Sequence, residues 1–382
     1  IACGMLSGQG LSPEVISSSG ACYQANGMNF SMTIGEPVIS TLMQNDHVLT
    51  QGFQQPEVNF AFQTLYIPEG WMGISSFVDP FYKNVADIFE EVENDLVILQ
   101  SLTAIYWPAQ QINTINDWNY LDAYKIKTAA AMEVGVYGTM ASQSYIDLQQ
   151  GWQLVPVLSS KSVEAVSVLS PLADTCIILK EVAGAGIYWP SQGINTLGSL
   201  DPGIGYFILV SDPCRMDYAN GTASSGRQSG DHSFVSPAQW NTIVASQSNH
   251  IIGVDNEALA KFRTGDILGV FSPEGYCCGS MEIGSRTQNQ ALIAFADDIT
   301  TGHKDGFARD QQMEFRLYRP DSDKEFVLEP IFDEAMPQQE KYLDNGLSLI
   351  RGIVELTNIP EEELAKMNIQ IYPNPADQML HI

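Results

Sequence analysis

The chain has 382 residues, 45% of them hydrophobic and 16% charged, and its 45 acidic against 18 basic side chains give a formal net charge of −27. That length exceeds one ordinary core and predicts two to four domains. The acidity repels phosphate backbones and anionic lipid, which argues against nucleic acid as a partner, and no hydrophobic run is long enough to span a membrane.

In chain order, residues 1–10 are rich in small residues and read as a signal-peptide remnant. Acylation of Cys3, as in a lipoprotein, is the alternative. Residues 11–59 read as a small β module with a hairpin at Asn26-Gly27. Residues 60–149 and 150–214 are two tandem homologous repeats of α+β or mainly β type. The stretch Ile105-Tyr106-Trp107-Pro108 returns 82 residues later as Ile187-Tyr188-Trp189-Pro190, Gly70-Trp71 is answered by Gly151-Trp152, and Tyr124 by Tyr206. Each repeat predicts a strand led by Gly-Trp, then a short amphipathic helix. Val85, Ile88, Phe89 and Val92 form the first helix behind Asn84 as N-cap; Val163, Val166 and Leu169 form the second behind Ser162. An apolar strand, the I-Y-W-P stretch and a strand through the tyrosine complete the unit. Cys176 occupies an apolar strand position, which predicts a buried free thiol.

Residues 215–235 read as a flexible linker. Residues 236–358 carry strand-like runs at 251–254, 266–271, 291–295, 313–318 and 325–328, a cadence that predicts a β-sandwich. A charged connector at 359–367 leads to a last segment at 368–382. The fold class expected is mainly β and multidomain: an N-terminal β module, two repeats and a C-terminal β-sandwich.

Two constellations invite chemistry. Asp297, Asp298, Asp305 and Asp310 lie on one glycine-containing loop and form a candidate calcium ligand set, since calcium takes six to eight oxygen ligands. Tyr106 and Trp107, with their sisters Tyr188 and Trp189, form a candidate aromatic platform for a glycan; alternation puts Tyr and Trp of each pair on opposite strand faces, so one of each pair is expected in the core. No zinc spacing, Walker loop, G-x-S-x-G or H-E-x-x-H occurs, and Asp231-His232-Ser233 reads as a solvated turn. No catalytic residue and no cofactor other than calcium is expected.

The segment Tyr372-Pro373-Asn374-Pro375, followed by Leu380 and Ile382, closely resembles the opening of the type A carboxy-terminal sorting domain of the Bacteroidetes type IX secretion system. Ile16-Ser17-Ser18-Ser19-Gly20 through Thr50-Gln51-Gly52-Phe53 resembles the amino-terminal module of many secreted proteins of the same phylum. Gly265-Asp266-Ile267-Leu268-Gly269 and Gly275-Tyr276-Cys277-Cys278-Gly279 look like a module that accompanies that sorting signal. The resemblance implies export by the type IX machinery, an extracellular or outer-membrane-surface location, and strands of the sorting domain beyond Ile382. It implies no reaction. The function expected is therefore a non-catalytic secreted or surface-anchored protein acting by adhesion or display toward a glycan, host or matrix surface. A carbohydrate-binding accessory protein is the alternative, and a hydrolase the third.

Overall fold

The computed structural model describes residues 60–219, 221–226 and 234–358, with residues 355–358 and four strands nearer the amino terminus described as backbone alone. The chain divides into two compact units, Ile1–Phe62 and Gln63–Ile382. In the first, Ser19–Ala25 pairs antiparallel with Met28–Ile34, and Ala25 stands opposite Met28; the expected turn at Asn26-Gly27 lies outside the described residues. Thr41–Gln44 pairs likewise with His47–Thr50.

The second unit contains the duplication as two sheets of one topology. The first runs Ile112–Asn113, Ile105–Trp107, Leu96–Gln100, Tyr124–Thr128, Gly70–Ile74; the second runs Ile194–Asn195, Ile187–Trp189, Cys176–Glu181, Tyr206–Val210, Gly151–Val155. Registers agree residue by residue: Leu99 faces Tyr106 as Leu179 faces Tyr188. The ladder skips Val97 in one copy and Ile177 in the other, so both copies carry the same bulge. Gly70 and Gly151 open their strands at φ 97° and 106°, a backbone region that L side chains avoid, which is the reason Gly precedes Trp in both. The Tyr124 hydroxyl accepts the Asn119 N–H at 2.9 Å and the Tyr206 hydroxyl accepts the Asp201 N–H at 3.3 Å, so each tyrosine ties down the loop that leads into its own strand.

The helix of each repeat is short and leads from a strand of one sheet to a strand of another. Asn84 caps Val85–Ile88 through its Oδ1, as expected, and a 3₁₀ turn at Glu90–Val92 follows. In the second copy the cap position moves from Ser162 to Glu164, since Val163–Glu164 is drawn into a short ladder with Ser199–Leu200. Part of the stretch expected as linker is also structured: Cys214–Asp217 pairs with Tyr145–Leu148, and Ala223 bridges Val163. Cys176 is a buried free thiol, and burial pushes it up to about 12.

The C-terminal β domain is one antiparallel and partly parallel sheet of seven strands. Their order is Cys277–Glu282, Ile267–Phe271, Glu314–Arg319, Lys324–Phe332, Leu347–Asn358, Asn249–Val254, Gln290–Phe295. The two outer strands lie against one another, so closely that a Cβ on Gly279 would stand 1.8 Å from the Ile293 carbonyl oxygen. The domain expected as a sandwich is thus a sheet rolled nearly to a barrel, an outcome that inward–outward alternation along each strand serves equally well. Ile252, Leu268, Val270, Leu292, Phe315 and Leu317 fill its interior. The intervening residues Ile251, Ile293, Phe295 and Leu347 point outward and pack on Ile178, Ile187 and Trp189, so the second repeat and the barrel share one apolar layer.

Candidate functional site

The acidic loop of the barrel brings together three of its four aspartates. Asp298 is enclosed and accepts from Trp71 Nε1 at 2.9 Å, from Lys127 Nζ at 2.7 Å, and from the Thr300 N–H and hydroxyl at 2.9 and 2.7 Å. Burial pushes its carboxyl up, but those donors outweigh burial and hold it below the ordinary carboxylate value. Asp305 accepts the Asp298 N–H at 2.9 Å and the Thr301 hydroxyl at 2.9 Å, while its own N–H goes to Asp297 Oδ1 at 2.8 Å. Burial, followed in smaller part by the neighbouring Asp297, raises Asp305 above the ordinary carboxylate value.

Asp310 does not join them. It sits at φ 65° in a separate exposed turn, its N–H bonded to the Tyr342 carbonyl and its carboxylate 3.8 Å from Arg309. The expected convergence of four carboxylates is therefore corrected to three, and all three accept from protein donors. Among the described residues no group of three or more acidic, His or Cys side chains stands arranged to hold a metal ion. What the loop does in this structure is join the barrel to the first repeat, because Trp71 and Lys127 belong to the sheet of that repeat.

The aromatic residues of the I-Y-W-P stretches do not form a platform. Trp189 is 1% exposed beneath the barrel, with Gly253 close enough that a Cβ there would meet its ring at 3.4 Å. Tyr188 is buried in the core of its own repeat. Tyr106 is buried and donates its hydroxyl to Glu93 at 2.8 Å; Trp107 is half-buried beside Val182, Ala183 and Phe207. Alternation does separate Tyr from Trp, but in the second copy both faces of the strand are covered, and in the first the face bearing Trp107 is partly covered by residues of the second repeat.

Exposed aromatic side chains lie elsewhere. The outer sheet of the first repeat runs Phe60–Ile67, Met132–Met140, Val78–Pro80. Leu65, Ile67, Val134 and Val136 face the core. Tyr66, at 69% exposure, and Tyr137 face outward, and Tyr82, at 75% exposure, follows the third strand. The Phe81 N–H donates to the Tyr137 carbonyl at 3.0 Å, which fixes the turn bearing Tyr82 on this sheet. The sequence signal was available: Tyr66 and Tyr137 each follow a core residue in strict alternation, at positions where polar side chains are the ordinary choice.

A groove of about 460 Å³ opens in the barrel where the strands bearing Phe315 and Leu328 part, and Glu314, Glu329 and Glu340 stand along it. Tyr372, Pro373, Asn374 and Pro375, the signal-like residues 1–10 and residues 227–233 lie outside the described residues. Among the described residues no helix is long and apolar enough to cross a membrane. Comparison with known proteins returns no family model, no curated protein and no solved structure that matches the chain.

Proposed function

We propose that this chain is a non-catalytic secreted or cell-surface protein that works by adhesion or display, with the outer sheet of the first repeat as its contact surface. The observation that carries this reading is the outward projection of Tyr66 and Tyr82 from a sheet whose opposite face is core. Tyrosine offers a rigid apolar ring and a polar tip, the combination that stacks on sugar rings and serves protein interfaces equally. Export by the type IX secretion system is part of the proposal, supported by the Tyr372-Pro373-Asn374-Pro375 resemblance.

The test is binding of the purified chain to immobilised glycans and to matrix proteins, with Tyr66→Ala/Tyr82→Ala beside it. Loss of binding in the double variant, with its melting temperature unchanged, is the expected result. Binding that survives the double variant would move the contact surface elsewhere. Deletion of residues 368–382 in the full-length background should leave the protein in the periplasm; arrival at the cell surface would refute the sorting role.

A further inference from the structure

Lys180, next to last in the strand Cys176–Glu181 of the second repeat, is 1% exposed. Its ammonium nitrogen donates to the Asn249 carbonyl oxygen at 3.2 Å and to the side-chain oxygen Oδ1 of the same residue. The rings of Trp152 and Phe207 flank it, their centroids 5.1 and 5.5 Å away. The titratable groups acting on the joint are Asp344, Lys125 and His250. Burial lowers Lys180 to about 7, against a smaller opposing effect of Asp344, so near neutral pH a large share of the side chain is a neutral amine. A desolvated amine is the nucleophilic form of lysine.

Asn249 is held as firmly as its partner. It is buried at the head of the barrel strand Asn249–Val254; its Nδ2 donates to the Val182 carbonyl at 2.9 Å and its own carbonyl accepts the Asn345 N–H at 3.0 Å. This anchoring turns the amide nitrogen toward Val182 and the carboxamide oxygen toward the amine. The sister position in the first repeat is Gln100, which shows that the sheet itself does not call for a lysine.

We propose that Lys180 and Asn249 become joined by an intramolecular isopeptide bond that ties the second repeat covalently to the barrel. The Nζ lone pair attacks Cγ of Asn249 and forms the new C–N bond. The Cγ–Nδ2 bond then breaks, and ammonia leaves with a hydrogen surrendered by Nζ. No oxidant or further reactant is consumed. Holding amine and carboxamide in one sealed contact replaces a bimolecular encounter by an intramolecular one.

The experiment is intact mass spectrometry of the full chain followed by protease mapping. The expected mass is lower than that of the sequence by one ammonia, with the Lys180 and Asn249 peptides recovered as a single branched species. Lys180→Arg and Asn249→Ala should each restore the full calculated mass for their sequences. A native chain at its full sequence mass overturns the proposal whether or not the variants fold. So does an ammonia loss confined to the Asn249 peptide, which would be succinimide formation at that residue.

Discussion

Lys127 of the first repeat and Asp298 of the barrel meet at 2.7 Å, with the lysine largely and the aspartate almost wholly withdrawn from solvent. Removing one member of such a pair strands the other charge and the donors that served it. Asp298→Ala leaves Lys127 and the Trp71 indole N–H without this acceptor, and a loss of about 3 kcal/mol is expected. Urea denaturation checks it. A loss below about 1 kcal/mol would place the pair with ordinary surface ion pairs.

Calcium is expected to leave the melting temperature unchanged. To ligate the ion, Asp298 and Asp305 would have to release donors from Trp71, Lys127, Thr300 and Thr301, and Asp310 would have to cross from another turn. Thermal scans in calcium and in chelator decide it. A rise with calcium would mean that the loop rearranges into a binding site, since a ligand of the native state alone stabilises it by mass action.

His250 predicts an acid-sensitive stability. Its Nδ1 accepts the Leu343 N–H at 3.1 Å, which places the ring proton on Nε2 facing Ser348 Oγ at 2.8 Å. Burial lowers the imidazole from 6.5 to about 3. Between these two values the unfolded chain binds a proton that the folded chain does not, so stability is complete above the upper value and falls as pH drops through the window. Denaturation midpoints measured across that range should fall less steeply in His250→Gln than in the native chain. Equal slopes would assign the acid response to carboxylates alone.

Gly73 and Gly205 set the approach of the two repeats. A Cβ on Gly73 would stand 2.0 Å from the Gly205 carbonyl oxygen and 2.7 Å from the Val182 side chain. Gly73→Ala should therefore cost about 3 kcal/mol, at the upper end of overpacking effects. Gly284→Ala is the control: the nearest atom to its Cβ is the Gln290 side-chain oxygen at 3.9 Å. Equal stability of the two variants would show that the repeats can separate at little cost.

The duplication was legible because the residues that recur do the same local job in each copy. Tyr124 and Tyr206 hold loops five residues away, and Gly70 and Gly151 supply one backbone conformation twice. Within an element, periodicity sufficed: the predicted strand at 266–271 is observed as Ile267–Phe271, and the Asn84 cap is in place. The sites were less legible because their partners are distant in sequence. Asp298 takes its donors from Trp71, 227 positions away, and Lys180 finds Asn249 at a separation of 69. An acidic loop looks like a cation site until those donors are known. For the same reason Trp189, on a strand covered by another domain, could not be told from an exposed ring.

The difference between Gln100 and Lys180, together with the longer connection at 182–186 than at 101–104, gives the tandem pair a direction. The second copy has become the shoulder on which the barrel rests, with Val182 and Asn249 bonded across the junction. A shuffled gene with the copies in reverse order would present glutamine where the barrel meets an amine. The seam between the second copy and the barrel thus fixes which of the two copies can stand beside it.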